Sequence, residues 1–430
     1  MAAIKLTYIG GGSTRGVGTM ASFADQGSNF DGSEVVLFDI DHTHLDLVRR
    51  LAQKMLDVKG LDITVRATTD RRAALDGADA VLASYRPGGF AARALDERIP
   101  LRHGVIGQET QGPGGFFMAL RAITAMKEIV ADMADLCPNA TLFNYTNPIN
   151  IVGQAVSDHT DINTVSLCEG PIVYPQWIAN TAGLDPDAIQ STSIGLNHGS
   201  WSVAHTYHGE PLMPVLEATW AERRATVPRP RQRIVDLAVS MGSLPSNYFQ
   251  YYFCEREILA ELQAKPTTRA EDILAEVPSY WQHYEEQLET DEPVLDPRRS
   301  RGGIHELELA VDCMDAVFND KGETMPVNVP NQGSIPGFPD SLVVETLGKC
   351  DSSGIHPEPM PALSVHLRGV VESLACYQQA AADTAWEGTA LDGIRTLASH
   401  PLVRSLDVAD AIYREMAHAH REYLPQRLLA

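Results

Sequence analysis

A thiol and an imidazole, Cys168 in VSLCEGP and His198 in GLNHGSW, are the side chains of this sequence best suited to chemistry. Thiolate sulfur and imidazole nitrogen suit a divalent transition metal, and they lie too far apart in the chain for a structural finger. An ion held by only two protein side chains keeps coordination positions free for water and substrate hydroxyls, as metal-assisted catalysis requires. Each residue also has a plainer use: a cysteine at a strand end as a small buried hydrophobe, a histidine after Asn as a cap or core residue.

A second candidate site opens the chain. The β-rich run Ile4–Ile9 ends in Gly10-Gly11-Gly12-Ser13-Thr14-Arg15-Gly16 and flows into a helical segment from about Val17. Strand, glycine turn and helix make a dinucleotide cradle, in which backbone N–H groups and a helix N-terminus receive the pyrophosphate. Gly10 and Gly12 fit the first two glycines of that pattern; Arg15 stands where the third belongs and Gly16 is one residue late. A second apolar strand, Glu34–Phe38, ends in Asp39, a carboxylate placed for a ribose diol. Asp39 could equally cap a helix beginning near Asp41.

The elements that must position these groups alternate. His44–Val58 carries apolar residues at helical spacing, Ile63–Ala67 reads as a third strand and Ala78–Ser84 as a fourth. Phe116–Leu136 is a long helix, Ala140–Asn144 a fifth strand, Pro148–Ser157 a helix, and Asn163–Leu167 a sixth strand arriving at Cys168. Such alternation implies α/β architecture with a Rossmann-like, doubly wound parallel sheet, whose strand ends place Asp39, Arg86, Asn147 and Cys168 on one edge. Asn147 has a second reading, as a cap for the helix after Pro148. From about Gly199 the chain reads as a second, α+β C-terminal domain with long helices at Ser364–Asp383 and Gly388–His418. The expected division is 1–198 for the dinucleotide and 199–430 for substrate and oligomer contacts. Between the fourth strand and the long helix, about thirty residues carry Arg86, Arg93, Glu97, Glu109 and many glycines; a polar loop of that length suggests a lid over substrate.

Composition narrows the partners. The 430 residues hold 34 Lys and Arg against 56 Asp and Glu, a net charge of −22, which argues against nucleic acid or an anionic membrane. Six cysteines without a CxxC pair suggest free thiols in a reducing compartment, so a cytoplasmic protein is expected. MAAIKLTYIG reads as a strand rather than a signal peptide.

Taken in order, GGGST, FDID, the run from Tyr85 to Arg121, NYTNPINIV, LCEGP, GLNHGSW, NYFQYY, TRAED and VPNQGSIPGFPD resemble glycoside hydrolase family 4 over nearly the whole chain. The resemblance implies NAD at Gly10, Gly11, Gly12, Ser13, Thr14 and Asp39, and Mn2+ or another divalent metal at Cys168 and His198. It implies transient oxidation of the sugar at C3, removal of the C2 proton, elimination of the C1 oxygen, addition of water and return of the hydride. This class departs from paired-carboxylate glycosidases. By the same resemblance Tyr248 is the C2 base, and Arg93, Glu109 and Asn147 contact the sugar. Arg269 matches a phosphate-binding arginine, although it could also form a surface ion pair with Glu271 or Asp272. Pro171 places Cys168-Glu169-Gly170-Pro171 near the 6-phospho-glycosidase members. Glu169 departs from their Asn or Asp and could serve as an acid for the leaving group or as a solvated carboxylate. A cytoplasmic homodimer or homotetramer acting on 6-phospho-glucosides is therefore expected. The alternatives are the same chemistry on unphosphorylated, uronate or sulfonated glycosides, or an NAD-dependent 2-hydroxy acid dehydrogenase.

Overall fold

The computed structural model describes residues 1–299 and 308–429. Six short strands form a parallel sheet: β1 (Lys5–Ile9), β2 (Glu34–Phe38), β3 (Thr64–Thr68), β4 (Ala80–Ala83), β5 (Thr141–Asn144) and β6 (Thr164–Ser166). They lie in the order β3-β2-β1-β4-β5-β6, which reverses direction between β1 and β4 and opens a crevice there. Both faces are covered, so the central strands β1, β2 and β4 are buried at nearly every position. Leu6, Tyr8, Val35 and Leu37 pack with the helices Gly16–Asp25 and Leu45–Val58. Ile9, Val36, Phe38 and Val81 pack on the opposite face against the helix Gly112–Leu136.

Beyond β6 the chain continues the same sheet. It adds β7 (Ile189–Leu196), β8 (Gly199–Tyr207), β9 (Glu210–Pro211), β10 (Glu323–Pro330), β11 (Val343–Asp351) and β12 (Gly354–Pro357), all antiparallel. The order beyond β6 is β10-β11-β7-β8-β9, with β12 on β11. The seam consists of single pairings, Ser166 with Asn328 and Gly195 with Glu345. Among the described residues no helix is long and apolar enough to cross a membrane.

Two expectations need correction. The thirty-residue lid is not a loop, because Gly89–Arg102 is a helix within it. The flanking glycines suggested a loop, but the run Ala91-Ala92-Arg93-Ala94-Leu95 is made of strong helix formers, and Arg93 pairs with Glu97 one turn on at 2.7 Å. The single helix Gly388–His418 is two, Ala390–Ser399 and Leu406–Ala419. Pro401 forces the break, since the residue before a proline is biased away from helix.

Candidate active site

The glycine turn lines one side of a cavity of about 620 Å³ in the crevice between β1 and β4. Gly10 has φ +91°, and a Cβ there would fall 2.2 Å from the carbonyl oxygen of Ser84, so no side chain fits. A Cβ on Gly12 would fall 2.9 Å from that of Asp39; instead the Gly12 N–H donates to Asp39 Oδ2 at 3.1 Å. Gly10, Gly12, Ser13, Thr14 and Asp39 all line the cavity, while Gly11 turns its N–H back to Phe38 O at 3.0 Å. Arg15 and Asn147 line it too. The helix expected after Asp41 begins at Leu45 with His44 before it, and Pro148 precedes the helix Ile149–His159. Neither Asp39 nor Asn147 is therefore an N-cap. Burial raises the carboxyl pKa of Asp39, against the pull of the N–H groups of Asp41 and Gly12. His44 and Trp281 stack at 3.8 Å on the same wall, a pair that no sequence pattern announced. A bare glycine cradle, a helix behind it and a carboxylate at the next strand end fit a dinucleotide. Asp39→Asn is expected to weaken NAD binding about tenfold, equivalent to ~1.4 kcal/mol, and to narrow its preference over NADP; fluorescence titration with both nucleotides checks this.

The thiol and imidazole meet beyond the strand ends. Cys168 follows β6, and His198 occupies the turn between β7 and β8 with left-handed backbone at φ +61°. Cys168 Sγ lies 3.8 Å from His198 Nε2. Thr110 Oγ1 sits 3.1 Å from His198 Nδ1 and so presents the other nitrogen to the thiol. Burial lowers the imidazole pKa to about 3, which keeps the ring neutral, the form that binds metals. The Cys168 thiol is pushed up to about 12, chiefly by burial and then by the carboxylates of Glu345 and Glu169. Nearby, Asn197 Oδ1 and Asn328 Oδ1 are buried without a hydrogen-bond partner. A thiol that ionises only against a positive charge, a neutral imidazole aimed at it and unpaired amide oxygens fit a divalent cation. Their separation suits two ligands at ~2.0–2.3 Å from one ion. Among the described residues no third Cys, His, Asp or Glu completes a cluster with them, so the site is open.

Tyr248 stacks flat on the His198 ring, with centroids 3.7 Å apart and planes 9° apart. Burial, and next the charge of Glu109, raise its phenol pKa. Glu109 Oε2 forms ion pairs with Arg93 Nη1 at 2.7 Å and with Arg86 Nη2 at 2.8 Å. Arg93 also reaches Glu97, which accepts the N–H of Ala270 at 2.8 Å and so ties the lid helix to the first turn of the helix Arg269–Glu289. Tyr145 bridges the two sites: it lines the dinucleotide cavity and donates its hydroxyl to Glu169 Oε1 at 2.7 Å.

Arg269 stands apart from this group. It is exposed at the start of its helix and absent from the cavity wall. Its suggested partners are engaged elsewhere, Glu271 by Arg98 at 2.7 Å and Asp272 by Thr267 at 2.7 Å. Sequence reasoning passed over Thr110, Tyr145, Asn197 and Glu345. Only Asn197, beside His198, and Thr110, in the glycine-rich run, had a local signal.

Comparison with known proteins agrees with this geometry. The model of the family 4 glycosyl hydrolases matches residues 5–184, and that of the family 4 glycosyl hydrolase C-terminal domain matches 193–403. A Bacillus subtilis protein named "Probable 6-phospho-beta-glucosidase" is 34% identical over 98% of both chains. The 6-phospho-beta-glucosidase of Escherichia coli is 33% identical over 98% of this chain and 96% of its own. The structure of the Thermotoga maritima 6-phospho-beta glucosidase with NAD and glucose-6-phosphate superposes with a TM-score of 0.84 at 25% identity, covering 97% of this chain and 99% of that one. A further structure of that enzyme, at TM-score 0.83 and 24% identity, contains manganese as well. With both halves matched and the thiol, imidazole and glycine cradle in place, the chain belongs to family 4 of the glycosyl hydrolases.

Proposed function

We propose that this enzyme hydrolyses 6-phospho-β-glucosides with NAD and Mn2+ as cofactors. The observation that carries the reading is the group of Cys168 Sγ 3.8 Å from His198 Nε2 with Tyr248 stacked on the same imidazole. Neither a hydroxy acid dehydrogenase nor an ordinary carboxylate glycosidase needs that set. NAD, when bound, accepts and later returns the C3 hydride, and the divalent metal polarises the oxygens at C2 and C3.

The chain's own residues do the rest. Gly10, Gly12, Ser13 and Thr14 hold the dinucleotide phosphates and Asp39 the ribose. Cys168 and His198 hold the metal, leaving positions for the sugar hydroxyls. Tyr248 takes the C2 proton; its ionised form needs nearby positive charge, and Arg93, which interacts with it electrostatically, supplies some. Glu109 orients Arg93, and with Asn147 these three contact the sugar. Glu169, tethered by Tyr145, faces the leaving group. Arg269 is assigned to the phosphate from an adjacent copy of the chain, in keeping with its exposure and with a homodimer or homotetramer. Residues 1–198 carry the glycine cradle and the metal pair, and 199–430 carry Tyr248, Arg269 and the oligomer contacts. The free thiols of all six cysteines suit a cytoplasmic location. The β anomer is favoured because both relatives above at 33% identity or more bear that name.

The test is nitrophenol release from nitrophenyl 6-phospho-β- and α-glucosides and their unphosphorylated twins, omitting Mn2+, NAD or reductant in turn. Release is expected only from the 6-phospho-β-glucoside and only with both cofactors. Cleavage of unphosphorylated substrates alone would overturn the phosphate reading, and net NADH accumulation on a hydroxy acid would overturn the hydrolase reading.

A further inference from the structure

Cys168 and His198 are carried just beyond the ends of strands that are not neighbours. β10 and β11 lie between β6 and β7, so at ~4.8 Å per strand the two ligand-bearing strands run about 14 Å apart. The chain must lean inward from both sides over the ends of β10 and β11 to bring sulfur and nitrogen together. The residues beneath this arch are polar. Asn328 on β10 lies opposite Ser166, two positions before the thiol, and Glu345 on β11 lies opposite Gly195, three before the imidazole. A charged side chain at the centre of a sheet is costly unless several donors surround it. Glu345 is 2% exposed and accepts from Asn197 Nδ2 at 3.2 Å, while burial pushes its carboxyl pKa up to about 7 against the pull of Ser200, Asn197 and Asn328. Asn197, 4% exposed, directly precedes His198 in the β7–β8 turn.

The geometry points to Glu345 as a positioning residue for the metal site: by accepting from the Asn197 amide it fixes the turn that carries His198. The inference rests on the metal reading above. A carboxyl oxygen facing a side-chain amide dictates that the NH2 end of the amide turns toward it. Asn197, so oriented, holds the β7–β8 turn, and His198 with it, against β11. A glutamine at 345 has the same shape but one accepting oxygen and a competing NH2, so the Asn197 amide loses its fixed direction.

The experiment is Mn2+ titration by electron paramagnetic resonance on wild type, Cys168→Ser, Glu345→Gln, Asn197→Ala and the Glu345→Gln/Asn197→Ala pair, with NAD affinity and metal-free Tm alongside. Glu345→Gln is expected to weaken Mn2+ by 10- to 100-fold, the range found when partners of metal ligands are removed, with NAD affinity unchanged. Asn197→Ala is expected to match it, and the double variant to lose no more than the worse single, because both act through one amide. Asn197→Ala also carries the test if Glu345→Gln does not fold. Wild-type Mn2+ affinity in either variant, or additive losses in the pair, would overturn the inference while leaving the metal reading in place. Failure of the wild type to bind Mn2+, or undiminished binding by Cys168→Ser, would overturn both.

Discussion

Tyr248→Phe is expected to lower turnover by 10²- to 10⁴-fold, the usual contribution of a positioned proton acceptor, while NAD and Mn2+ bind as in the wild type. The substitution removes one oxygen and keeps the ring that stacks on His198 at 3.7 Å. The imidazole therefore stays in place, and a loss confined to kcat with unchanged cofactor affinities isolates the hydroxyl. The decisive measurement is exchange of the substrate's C2 hydrogen with deuterated solvent, which should vanish with turnover. Tyr252→Phe is the control: its half-buried hydroxyl bonds to Gln111 at 2.5 Å and does not stack on His198, so kcat should stay within about tenfold of wild type. Turnover of Tyr248→Phe near the wild-type rate would remove Tyr248 from the reaction.

Cys168→Ser is expected to cost about 10³-fold in kcat/KM at fixed Mn2+, a loss of ~4 kcal/mol, which is what polarisation by a bound ion contributes. Serine keeps the volume but offers a neutral oxygen where the site holds a sulfur that can ionise beside a cation. The loss should be recovered in part by raising Mn2+, and stripping the wild type with a chelator should reproduce it reversibly. NAD affinity should hold, because the Cys168 side chain is not part of the dinucleotide cavity wall. Activity that is indifferent to both substitution and chelator would show that no metal acts there.

The parts of the molecule legible in the sequence were those set by local pattern. β1 to β6 are short apolar runs bounded by turn residues, and their alternation with helices dictates a parallel sheet. Gly10 and Gly12 announce themselves because no other residue tolerates their surroundings. What escaped was set by distant pairing. The lid helix Gly89–Arg102 is stabilised by Arg121, which pairs with Asp96 at 2.6 Å from another helix, and by the N-terminus of the helix Arg269–Glu289, which meets Glu97. His44 with Trp281, and Glu345 with Asn197, join residues hundreds of positions apart or on strands that become neighbours only when the sheet closes. No window of sequence contains such a pair.

The strand order also fixes when each site can form as the chain emerges from the ribosome. β1 to β6 are complete by Ser166, so the glycine cradle and Asp39 can assemble early, from a contiguous stretch. β7 and β8 can pair as a hairpin soon after, but the edge they must reach is built by β10 and β11, which end at Asp351. Until then Cys168 and His198 sit on separate pieces, and β6, only three residues long, offers little edge for a wrong strand to capture. The glycine cradle is thus an early product of synthesis, and the closure of its cavity by Trp281 and the meeting of Cys168 with His198 are late ones.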